Sequence, residues 1–140
     1  VANGGTRHSA SILKSVRSFN YGENVYERED EVLSKVESPQ YNWDAVHEGM
    51  RLVAKDSLSS YTMTTVAAKT GTAQKGEYVT NDGIFICYAP FEDPEIAIAI
   101  VVERGGAGAN CAPIAKEILQ AYFSLKSATD VTDTEGKLLQ

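Results

Sequence analysis

Lys69, Thr70, Gly71 and Thr72 are the residues whose types and spacing could do chemistry. They lie within Val66–Gln74, where Val66 is β-branched and Ala67, Ala68 and Ala73 are small, so the stretch reads as a strand. Side chains alternate along a strand, which puts Lys69 and Gly71 on one face and Thr70 and Thr72 on the other or along the rim. Glycine inside a strand weakens it and marks a place where another backbone or a ligand comes close. A cation, two hydroxyls and uncovered N–H groups suit a carboxylate and a carbonyl oxygen that turns negative. That is the chemistry of acyl transfer. The bland alternative is an edge strand whose lysine only discourages aggregation.

Something must position those residues, and the chain has the means. Its 140 residues suffice for one domain with a real core, and a hydrophobic content of 43% is ordinary for a globular protein. A net charge of −6 argues against nucleic acid or an anionic membrane as partner. No apolar run reaches the roughly eighteen residues that a membrane helix needs. Cys87 and Cys111 are too few for a disulfide scaffold and lack zinc spacing, so both are expected as buried free thiols. No metal or cofactor is expected.

Val1–Thr6 reads as the exit of a helix, because Asn3, Gly4 and Gly5 favour a left-handed cap. With no helix before it, the chain is expected to begin inside a larger domain. Residues 9–18 and 23–37 hold short β-favouring pieces around Asn20-Tyr21-Gly22, expected as two strands of a hairpin apart from the main sheet. Asn42 is a fair N-cap, and Trp43, Val46, Met50 and Val53 fall at helical spacing, predicting a helix over about 43–55. Gly49 inside it points to close packing. Ile84–Ala89 is a continuous apolar strand, and Ile96–Val102 is apolar on both faces, which predicts cover on both sides. With Val66–Gln74 these make an antiparallel meander. A helix follows over about 112–125, with Ile114, Ile118, Ala121, Tyr122 and Leu125 as its apolar stripe. From Ser127 the composition turns polar, so residues 1–126 are read as the folded portion and 127–140 as a flexible tail. The fold class is α+β, an antiparallel sheet backed by helices.

Other signals weigh less. Gly106-Ala107-Gly108 lacks the third small residue of a dinucleotide fingerprint. Ser11-Ile12-Leu13-Lys14 fits S-x-x-K and Ser18-Phe19-Asn20 fits S-x-N, but the first needs a serine at a helix start and sits in a strand-like stretch. Both are read as coincidences. His8 and His47 have no evident acid partner and read as surface residues, and Tyr78 could rim a groove.

Lys69-Thr70-Gly71-Thr72-Ala73 resembles the third signature of the penicillin-binding proteins and serine β-lactamases. The opening Val1–Gly5, the Tyr88-Ala89-Pro90 ending the next strand, Asp93–Glu103 and Ala112–Phe123 extend the likeness over roughly residues 1–125. Together they are similar to the C-terminal part of the transpeptidase domain of class B penicillin-binding proteins, closest to the elongation type. The resemblance implies a five-stranded sheet, serine-type DD-transpeptidase chemistry on peptidoglycan stem peptides, and acylation by β-lactams. It implies a place on the outer face of the bacterial cytoplasmic membrane, with an anchor not present here, and cell-wall elongation proteins as partners. Carried over, Lys69 supplies charge and helps proton movement, Thr70 and Thr72 hold the terminal carboxylate beside Gly71, and the Thr72 N–H is one oxyanion donor. The acylating serine with its lysine, and the second-motif pair, have no counterpart here. The chain is therefore expected to supply one wall of a site, to need the N-terminal part of the same domain, and to be inactive alone. A non-catalytic β-lactam sensor and a degenerate structural module of the cell-wall machinery are the alternatives.

Overall fold

The computed structural model describes residues 1–20 and 22–135, which form two compact units, one up to Trp43 and one from Asp44 onward. In the first unit the glycine-rich opening is a turn, with Gly4 and Gly5 both at positive φ, as the left-handed cap required. Four short strands follow: β1 (Thr6–His8), β2 (Ser15–Arg17), β3 (Asn24–Glu27) and β4 (Val32–Lys35). β1 pairs with β4 and β2 with β3, both antiparallel, so the expected single hairpin is two nested two-stranded ribbons. Neither joins the main sheet.

The first helix, α1, runs Gln40–Ser57, starting before the predicted residue. Asn42 is thus inside its first turn, where its amide donates to the Ser38 hydroxyl at 3.0 Å, and it is not the cap. Met50 and Ala54 are buried and Val53 partly so, but a β-carbon on Gly49 would meet nothing within 4 Å. The close packing expected at Gly49 is not found, because that face of α1 is exposed.

In the second unit, β5 (Ala67–Ala73), β6 (Asp82–Ala89) and β7 (Ile96–Val102) make the antiparallel meander, in the order β5-β6-β7. Three strands, rather than the five implied by the resemblance, make this sheet among the described residues. Directly paired residues share a face, so Ala68, Phe85, Cys87 and Ile100 point one way. They form a dry core with Leu58 and Tyr61 after α1 and with α2 (Ala112–Glu135). Full burial of Phe85 and Leu119 stabilises by about 1.5–3 kcal/mol each.

Two corrections come from this packing. The opposite face of β7, carrying Ala97, Ala99 and Val101, is exposed, so the strand is covered on one side only. On α2 the inward stripe is Ala112, Ala115, Leu119 and, partly, Phe123, while Ile114, Ile118 and Leu125 are exposed. The helix is apolar over a wide arc, and against the bulky Phe85 the small Ala112 and Ala115 permit the closer approach. α2 also runs on past Leu125, so 127–135 of the expected tail is helical backbone, and 136–140 lie outside the described residues.

Candidate active site on the edge strand

β5 pairs only with β6 among the described residues, so its other edge carries backbone groups open to a partner. The register sets Lys69 opposite Ile86, Gly71 opposite Ile84 and Thr72 opposite Gly83. Lys69 is thereby on the uncovered face. Its ammonium is exposed and turns onto the carbonyl of its neighbour Thr70. Thr70, opposite the buried Phe85, is half-buried, whereas Thr72 is exposed at the end of the strand. The four predicted site residues are therefore brought together on one free edge.

Gly71 is a point of close approach, but the approaching group belongs to this chain. After β7 the backbone turns through Arg104, at φ 54°, and Gly106, at φ 77°, into a short 3-10 turn, Gly108–Cys111, which leads into α2. A β-carbon on Gly108 would lie 2.1 Å from the Gly71 carbonyl oxygen and 2.7 Å from its nitrogen. On the side to which Gly71's own β-carbon would point, that atom would meet Cβ of Ile84 at 3.3 Å. The Gly108 N–H donates to the Thr72 hydroxyl at 3.2 Å. Gly83 is squeezed similarly, since a β-carbon there would meet Cys111 Sγ at 2.9 Å.

A polar knot closes the same end of the sheet. Asp82 accepts from Lys75 at 2.6 Å and from the backbone N–H of Arg104 at 2.8 Å, and Gly106 N–H donates to the Asn81 carbonyl at 2.9 Å. The Lys75 hydrogen bond, then the Arg104 N–H, hold the Asp82 carboxyl below its usual value, and Asp82 in turn raises the Lys75 ammonium. The residues following β5, beginning β6 and following β7 are thus tied together beside Thr72. A shallow recess of about 460 Å³ lined by Gln74, Gly76, Glu77 and Asn81 adjoins this end.

The remaining candidates fall elsewhere. Ser11 sits in irregular chain and its hydroxyl is engaged with the backbone of Leu13, so it lacks the helical setting of an S-x-x-K nucleophile. Ser18 and Asn20 bond each other at 2.7 Å within their own turn. His8 is 2.8 Å from Asp30, so an acid partner exists that the sequence did not reveal. His47 is half-buried and meets the ring of buried Tyr88 edge-on at 5.8 Å, correcting its reading as a surface residue. Tyr78 is exposed. Cys87 and Cys111 are free and buried, and burial pushes the Cys87 thiol up to about 11. No metal-holding cluster occurs among the described residues. A cleft of about 250 Å³, lined by residues including Arg51, Lys55, Ser59 and Thr64, does not include the Lys69–Thr72 segment.

Gly108, Gly83 and Asp82 were missed as site residues. Along the chain the glycine-rich run matches only part of a nucleotide loop, and no spacing sets Asp82 apart.

Residues 1–120 match the family described as the penicillin binding protein transpeptidase domain. The chain belongs to this family. Penicillin-binding protein 2A of Bacillus subtilis is 33% identical over 98% of this chain and 22% of that protein. Penicillin-binding protein A of M. tuberculosis, solved as an imipenem acyl-enzyme complex, superposes with a TM-score of 0.74 at 27% identity, covering 87% of this chain and 28% of that one. The D,D-transpeptidase domain of a peptidoglycan glycosyltransferase from Eggerthella lenta gives 0.73 at 30% identity, covering 89% and 30%. The α+β fold is accordingly that of penicillin-binding transpeptidase domains. The chain spans about a fifth of the length of the curated relative from B. subtilis.

Proposed function

We propose that this chain is the C-terminal portion of the transpeptidase domain of a class B, elongation-type penicillin-binding protein. In that reading it supplies the Lys69–Thr72 wall of a peptidoglycan DD-transpeptidase. The observation that carries the reading is the joint exposure of Lys69 and Thr72 on a free sheet edge. A stem peptide adds along that edge as an extra strand, and its terminal carboxylate meets the Thr70 and Thr72 hydroxyls and the Lys69 charge. A serine outside these residues attacks the penultimate carbonyl, and the negative oxygen is held by the Thr72 N–H. Collapse breaks the C–N bond, the terminal D-amino acid leaves with a proton, and an acyl-enzyme remains for an acceptor amine. A β-lactam follows the first half of this course and stays attached. The protein works on the outer face of the cytoplasmic membrane, held by a segment not among these residues, beside other elongation proteins.

The test uses the full-length protein and a fluorescent penicillin. Lys69→Ala should slow acylation by roughly two to four orders of magnitude, the scale for removing a positioned electrostatic or proton-transfer group, with little change in stability. Acylation within threefold of wild type removes Lys69 from the mechanism. The 1–140 chain alone should stay unlabelled. Stoichiometric labelling that disappears in Ser11→Ala would place the nucleophile here and overturn the one-wall reading.

A further inference from the structure

We propose that Gly108 is a positioning residue of the transfer site, acting on the Thr72 hydroxyl from behind the strand. The proposal rests on the acyl-transfer reading of Lys69–Thr72 and adds a residue to it. Three observations meet at this point. Gly108 is buried, and its missing side chain is the space that the Gly71 backbone occupies. A β-carbon there would also fall 2.5 Å from the Ile84 carbonyl oxygen, so no side chain fits without moving β5 from β6 or the turn from both. Its N–H donates to Thr72 Oγ1 at 3.2 Å across thirty-six positions of sequence.

The hydrogen bond has a direction, and the direction decides the consequence. A threonine hydroxyl has one hydrogen to give and two lone pairs to accept with. With one lone pair taken by Gly108 N–H, the hydroxyl is held with its own hydrogen turned away from the turn. Thr72 is exposed on its other side, so that hydrogen is available to an incoming acceptor. A carboxylate is acceptor-only and forms short, strong bonds with such donors. Gly108 therefore prepares Thr72 as a donor to the carboxylate of the stem peptide or penicillin, before any ligand arrives. Packing alone would ask for a small residue at 108. It would not ask for an amide aimed at the one hydroxyl at the exposed end of β5.

The experiment measures acylation of the full-length protein by benzylpenicillin and by its methyl ester, which lacks the charged acceptor. Gly108→Ala should slow the free acid about ten- to a hundredfold, the scale of a small misplacement at a reacting site, and the ester less than threefold. Thr72→Val should show the same split, Thr72→Ser should keep most of the activity, and the Gly108→Ala/Thr72→Val pair should be far from additive. Equal losses with acid and ester, or a folded Gly108→Ala protein within threefold of wild type on the acid, overturn the proposal. Amide hydrogen exchange decides the case even if Gly108→Ala does not fold. The Gly108 N–H should be protected in wild type and in Thr72→Ser, and exchange at least about tenfold faster in Thr72→Val. Free exchange in wild type, or no change in Thr72→Val, sinks it. Normal Gly108→Ala acylation with a failing Lys69→Ala protein refutes this inference alone, whereas a wild-type protein that no penicillin acylates refutes the site itself.

Discussion

The two faces of the β5-β6-β7 sheet are made of similar residues and are covered to different extents. On one, Ala68, Phe85, Cys87 and Ile100 are shut against α2, with exposures from 0% to 9%. On the other, Ala67 and Tyr88 are buried, but Ala97 and Ala99 are exposed, Ile86 is 37% exposed and Val101 66%. Lys69 stands on the second face, and Thr72 at the end of β5 on the first, beside the turn. Hydrophobicity alone does not tell these faces apart. What separates them is that one has a helix of matching shape within the chain, and the other presents an apolar surface of a kind that marks interaction sites. The strand of the candidate site, β5, is packed against Gly108 on the dry side and has one edge open among the described residues.

The largest effect is expected on the closed side. Leu119→Ala should cost roughly 2–5 kcal/mol in unfolding free energy, because a fully buried side chain leaves both lost transfer energy and a cavity. A denaturant titration showing less than about 1 kcal/mol of change would mean that α2 is not sealed onto the sheet.

The polar knot at the sheet's end sharpens the contrast through pH. The Asp82 carboxyl is lower in the folded state than in the unfolded chain, so its contribution is present above the ordinary carboxylate range and fades as pH falls through and below it. Lys75 is raised, so its share is present at neutral pH and lost as pH rises beyond the amine's ordinary range. Thermal melts of wild type should therefore fall from about pH 4 downward, and Asp82→Asn should be less stable at neutral pH with a flatter acid limb. A variant curve parallel to wild type would show that the Lys75–Asp82–Arg104 knot contributes nothing.

The smallest effect is expected on the open face. Val101→Ser should change the stability of the 1–140 chain by no more than about 0.5 kcal/mol, while reducing its tendency to self-associate. A destabilisation comparable to that of Leu119→Ala would mean that this face is covered after all.

The three strands of the main sheet, both helices and the candidate site residues on β5 were legible along the chain. Alternation, helical spacing and a lysine beside a strand glycine are local properties that survive without knowledge of contacts. The sequence also carried the family, through motifs distributed over most of the chain. Which apolar stripe of α2 turns inward was decided only in three dimensions, because Ile114, Ile118 and Leu125 outweigh Ala112 and Ala115 in hydrophobicity yet cannot approach Phe85 as closely. The meaning of Gly71 changed for the same reason. Its backbone is approached from behind by Gly108, whose missing side chain makes the room, a residue thirty-seven positions away that no local pattern connects to it. A strand's face and spacing are written along the chain, but what presses on that face depends on which distant backbone has the room to reach it.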